Sequence, residues 1–240
     1  MFERASAPKR IVFHRFSRKG QRALRPAARV CNALLPVTGA ALFAWGCGAA
    51  LALRTPLEEA LPGPVTLLAG FLAFDMLHEC GHRPANCACG FPVEEIGLLL
   101  EPDMAFYVRN DSGPIVSARG RRQYLQICLA GIETDLAAIG VLLWSCARTG
   151  SRTCAFFALF NMISVVHNAL PVSGRDGEKA LSALLHVEAV LASPARRRAL
   201  VRRGIHGRRA LRLLWAIRLA RGIDLVVQGI GMVGIRILLL

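Results

Sequence analysis

The run VTLLAGFLAFDMLHECGH, residues 65–82, decides how this chain is read. It is apolar for most of its length and ends on His78, Glu79 and His82. On an α-helix, side chains four apart share a face. The two imidazoles of His78-Glu79-x-x-His82 can therefore bind one Zn²⁺, with Glu79 beside them to take a proton from water that the ion activates. A bound zinc lowers the pKa of such a water to about 7. A pattern that fixes so few letters also occurs by chance. Its setting gives it weight, because an ionisable group at the centre of a membrane span costs roughly 2.5–3.5 kcal/mol and is usually functional.

The chain has 240 residues, 54% of them hydrophobic, and a net charge of +14. The apolar residues come in blocks, at about 30–53, 65–82, 124–146 and 154–172. Each is close to the roughly 20 residues that cross a bilayer. The expected fold is an all-α membrane protein, a polytopic bundle of about four transmembrane helices. A partly extended, re-entrant loop follows the second helix, where residues 83–122 are broken by Gly and Pro. The expected organisation is a basic cytoplasmic tail (1–29), a membrane-embedded core (30–177), a basic cytoplasmic or interfacial helical region (178–222) and an apolar end that spans or lies at the interface (223–240).

Charge orients the chain. Lys and Arg favour cytoplasmic loops, so the N-terminus is placed inside. The four spans then alternate, and His78, His82 and Asp176 fall at one cytoplasmic depth. In the C-terminal region, arginines interleave with Leu, Ile and Trp215, which reads as a helix lying on anionic lipid. No nucleic-acid motif accompanies the charge, so no nucleic-acid partner is expected. The eight cysteines fall mostly in apolar segments and read as small buried hydrophobes. Cys87 and Cys89 are too closely spaced for the usual structural zinc pair. No removable signal peptide is read, and the oligomeric state is left open.

A catalytic zinc wants a third protein ligand and an open position. Asp176, in NALPVSGRDG (residues 168–177), follows the fourth apolar block. Alone it reads as a turn residue, since Asp-Gly is a common turn dipeptide. Asp135 and Glu133 are acids within the third block. Asp135 is placed near the site, lining its water path or holding spans together, and Glu133 is an accessory. Asp75 precedes His78 by three residues, on the same face. It is within reach of the imidazole nitrogen that does not face a metal, although a polar residue without contact to the site is the weightier reading. His167 reads as a polar core residue, and His186 and His206 carry no argument.

HECGH on one span and NALPVSGRDG near the end of a later one resemble the two motifs of the site-2 protease family of membrane zinc metalloproteases. The segments HECGHRPANCACGFPVEEIGLLLEPDMAFYV, RRQYLQICLAGIETDLAAIGVLLW and FNMISVVHNALPVSGRDGEKAL are similar to its branch associated with bacterial peptide maturation. The resemblance covers about residues 65–185. It implies His78, His82 and Asp176 as Zn²⁺ ligands, Glu79 as general base and Asn168 as a residue that holds substrate or orients the site. It implies hydrolysis of a peptide bond in a membrane-associated peptide or precursor, in a bacterial cytoplasmic membrane. The extended loop from Glu95 to Val108 would lie near the cleft and pair with an unfolded substrate. Three features depart from the family pattern. Pro84 sets its ring against the carbonyl of Cys80, inside the motif. AGIETD, residues 130–135, replaces the family's Gly-Pro and Asn pattern. Arg175 is placed to pair with Asp176. The alternative is a non-proteolytic binding, immunity or export-accessory protein on the same fold.

Overall fold

In a computed structural model, the chain is mostly helical, and the structure describes residues 10–52, 62–91, 93–100, 105–110, 121–171 and 175–185, with scattered positions between 219 and 229. In chain order the elements are β1 (Arg10–Arg15), α1 (Arg18–Leu51), α2 (Pro64–Cys89), β2 (Val93–Leu99), β3 (Ala105–Asn110), α3 (Arg121–Thr149), α4 (Arg152–Ala169) and α5 (Asp176–Leu185). Most of the basic C-terminal region and of the final apolar stretch, with His186 and His206, lies outside the described residues.

Each of the four apolar blocks forms a helix. α1 starts at the Ser17 cap, whose Oγ accepts from the Gly20 amide at 3.1 Å. Its 34 residues span about 51 Å. A bilayer core is about 30 Å thick, so α1 has room for its basic first turns beyond the apolar part. Of the residues read as a basic tail (1–29), Arg10–Arg15 form a strand and those from Arg18 onward begin this helix, while 1–9 lie outside the described residues. α1 and α3 are both long and apolar enough to cross a membrane. α1 leaves Val30, Leu34, Val37, Trp45 and Leu51 exposed, a surface that lipid would suit.

Glycines set how closely the helices approach. A Cβ at Gly39 would lie 2.6 Å from the Glu133 carbonyl oxygen, and one at Gly46 would collide with the Gly140 carbonyl. Both contacts advance by seven residues in the same direction, so α1 and α3 run parallel. α2 runs against α3: His78 meets Asp135, while His82 meets Ile127. At that crossing a Cβ on Gly81 would strike Thr134 and the Ala130 carbonyl. α4 turns back from α3 at Gly150, which has φ 71°. It packs Phe156, Phe157 and Phe160 against Phe71 of α2, with ring centroids 4.4–6.2 Å apart. Pro84 does not end α2, which continues to Cys89 and stops at Gly90 in the left-handed conformation.

The all-α expectation is corrected by a three-stranded antiparallel sheet of order β1-β2-β3. β2 and β3 form a hairpin where an extended loop was expected. β1 comes from the N-terminal segment, with Arg10 opposite Leu99 and Arg15 opposite Glu95. Buried Glu95 explains the pairing chemically, since Arg10 (3.0 Å) and Arg15 (3.7 Å) both reach its carboxylate. The Gln21 side chain joins the sheet to α1 as a strand would. It donates to the Val93 carbonyl at 2.6 Å and accepts from the Val93 amide at 2.8 Å. Arg83, just after the second histidine, lies over the Phe16 ring at 4.1 Å and so points toward the β1–α1 connection.

The glycine seam gives a direct test. Gly46→Val should destabilise the protein by about 1–3 kcal/mol, as overpacking does. Gly48→Val, on the same helix with open space around it, should have little effect. Denaturant unfolding in detergent, followed by circular dichroism, compares the two.

Candidate metal centre

α2 presents His78 and His82 to α3, and both side chains are buried. Each ring is fixed from outside by its Nδ1. His78 Nδ1 lies 2.7 Å from Asp135 Oδ2, and His82 Nδ1 lies 2.7 Å from the Ile127 carbonyl oxygen. A carbonyl can only accept, so His82 Nδ1 carries a proton. The carboxylate of Asp135 asks the same of His78. Both Nε2 atoms are thereby turned inward, 3.3 Å apart.

α5 supplies the third atom. Asp176 Oδ2 is 3.2 Å from His78 Nε2 and 3.1 Å from His82 Nε2. Asp176 opens α5 at the end of the helix that favours negative charge. Gly177 lets this turn settle onto the end of α4, since a Cβ there would strike the carbonyls of Ala169 and Leu170. The dipeptide that reads as a turn is therefore a helix start pressed against its neighbour.

The three inward atoms form a triangle with edges of 3.1–3.3 Å. With Nδ1–H on both rings, they are three acceptors facing one another, and only a cation, either protons or a metal ion, relieves their repulsion. Four ligands at 2.0–2.1 Å in a tetrahedron stand about 3.3 Å from each other, so the triangle has the dimensions of one tetrahedral face. Glu79 completes the cluster: ligand atoms of His78, Glu79 and His82 lie within 4.8 Å of one another, and this group can hold a metal ion.

The other oxygen of Asp176 is also engaged. Lys179 Nζ donates to Oδ1 at 2.8 Å. Loss of solvent around its ammonium end works to lower the Lys179 pKa, but the charge of Asp176 and the bond to it prevail and raise it above the ordinary lysine value. Arg175, expected to compete for Asp176, is exposed, and Lys179 fills that role from one turn further on.

Asp135 lies against His78, 2.7 Å from its Nδ1. Asp75 does not support His78. Its Oδ2 accepts instead from the Phe106 amide at 2.7 Å and ties β3 to α2. Asn168 is half-buried near the end of α4, outside hydrogen-bond contact with His78, His82 or Asp176. Glu133 meets α1 at Gly39 through its backbone. Cys87 and Cys89 donate elsewhere, to the Gln21 and Gln123 carbonyls. Three contributors escaped the sequence reading. The Ile127 carbonyl is backbone and leaves no signature. Lys179 sits three residues from Asp176, a helical spacing that points to it. Gly131 lies four residues before Asp135, on one face, and a Cβ there would come within 2.6 Å of His78 Nε2 and His82 Nε2.

In comparison with known proteins, the chain matches no family model, no curated protein and no solved structure.

Two substitutions probe the centre without removing an inward-facing atom. Asp135→Ala should weaken metal binding about 10–100-fold, the usual effect of losing a carboxylate behind a ligating histidine. Gly131→Ala should weaken it further, because the methyl group enters the space between the imidazoles. Titration with a divalent metal, beside circular dichroism to confirm retained helix, measures both.

Proposed function

We propose that this chain is a polytopic membrane zinc endopeptidase that hydrolyses a peptide bond in a membrane-associated peptide or precursor. The observation that carries this reading is the inward convergence of His78 Nε2, His82 Nε2 and Asp176 Oδ2, with both outer imidazole nitrogens already bound. Two imidazoles and one carboxylate are a donor set of catalytic zinc centres, which keep a further position open. The resemblance of HECGH and NALPVSGRDG to the site-2 protease motifs points the same way.

In this reading His78, His82 and Asp176 would hold a zinc ion, which when bound would supply Lewis acidity and lower the pKa of a water. Glu79 takes the proton from the attacking water and delivers it to the leaving amine. Asp135 and the Ile127 carbonyl hold the imidazoles in the tautomer that aims Nε2 inward. An extended peptide can add to the outer edge of β3 away from the Phe106 amide, which Asp75 already holds, and Asn168 helps to orient it. Such a mode suits hydrolysis, because a peptide bond inside a helix is shielded from water.

Four spans are supported by the alternation of directions along α1, α2, α3 and α4 and by the placement of the basic segments. With the N-terminus inside, the paired glutamate-arginine sheet and the metal centre fall toward the cytoplasmic face of a bacterial membrane. The exposed arginines of α1, with the basic region after α5, meet anionic lipid there.

The reading is tested by the zinc content of detergent-purified protein, wild type beside His78→Ala and Asp176→Ala. About one zinc per chain is expected, lost or strongly weakened in both variants. Glu79→Gln should keep the zinc and abolish cleavage of a membrane-associated peptide substrate. Folded wild-type protein that takes up no supplied zinc would sink the protease reading and favour a binding or accessory role.

A further inference from the structure

The two oxygens of Asp176 are divided between two tasks. Oδ2 faces the histidines at 3.1–3.2 Å, whereas Oδ1 accepts from Lys179 Nζ at 2.8 Å. A carboxylate left to itself can offer both oxygens to one metal. Bidentate Asp176, together with the two histidines, would present four protein atoms and occupy the position that a catalytic centre leaves open. We propose that Lys179 is a positioning residue: it keeps Oδ1 away from the metal, so that Asp176 ligates through Oδ2 alone. The proposal rests on the metal-centre reading above.

The arrangement is built into one helix turn. Asp176 and Lys179 stand three apart on α5, a spacing at which side chains meet. An ordinary exposed pair of this kind contributes little, with a median of about 0–1 kcal/mol. This pair differs because its acid is buried, 7% exposed, and is fixed on its other side by two imidazoles, while the lysine remains 48% exposed and approaches from outside. The lysine has a strong acceptor at one end of its reach, and that acceptor has no freedom to turn without leaving the histidines. Arg175, the nearest other cation in sequence, is exposed.

The test uses Co²⁺ as the probe, because four-coordinate cobalt absorbs visible light far more strongly than five- or six-coordinate cobalt. Full-length protein in detergent is compared with Lys179→Met, Lys179→Gln and Lys179→Arg, and absorption is expressed per bound Co²⁺. Lys179→Met should still bind about one Co²⁺ per chain, but its absorption per ion should fall severalfold as Oδ1 turns to the metal. Lys179→Arg should restore the wild-type spectrum, and Lys179→Gln gives the same comparison should the methionine variant not fold. Wild-type absorption in folded Lys179→Met or Lys179→Gln would overturn the proposal while leaving the metal centre intact. So would loss of Co²⁺ from all three variants, which marks a purely structural role. A wild-type protein that binds no Co²⁺ would overturn the metal-centre reading itself.

Discussion

Two imidazole nitrogens and one carboxylate oxygen, within 3.3 Å of one another in the interior of a helical bundle, form a constraint that the surrounding structure has to satisfy. Acceptors at that distance repel unless positive charge lies among them. The fold meets the constraint from behind. An acid and a backbone carbonyl on α3 hold the two rings, and a lysine on α5 holds the carboxylate. Three separate helices therefore converge on one small volume. Each needs close neighbours to reach it, which gives the glycines at the helix crossings their purpose. Gly81 brings α2 onto α3, Gly177 brings α5 onto α4, and Gly131 leaves room between the rings.

What the sequence made legible follows from periodicity. The helical spacing of four placed His78 and His82 on one face, and the structure keeps them there although Pro84 follows closely. Burial cost made Asp135 conspicuous, since an acid in an apolar run is expensive unless paired. Asp176 stood out through its motif and its position after the fourth block. The apolar blocks themselves marked all four long helices, although their ends shifted. α1 begins well before its apolar run because Ser17 caps it and its basic turns need no apolar face.

What stayed hidden was decided by partners far along the chain. Periodicity gives a face, but not who stands opposite. Asp75 shares a helix face with His78, yet the group it meets is the Phe106 amide. β1 was illegible in a basic tail because a strand of six residues is fixed by what it pairs with, here β2 and the buried Glu95. The Ile127 carbonyl carries no side-chain signal at all. Lys179 lay in a stretch whose basic character suggested lipid, and only the geometry of α5 separates it from the other cations.

The bond between Asp75 and the Phe106 amide has a mechanical consequence. It fastens an edge strand to the same helix that carries the two histidines, three residues before the first of them. Along a helix axis that interval is about 4.5 Å. Tilting or sliding α2 would carry β3 with it, so the offset between strand and imidazoles survives motions that change the depth of both. The hairpin therefore behaves as a ruler clamped to its own zero mark: a chain laid along its outer edge would be measured from the histidines.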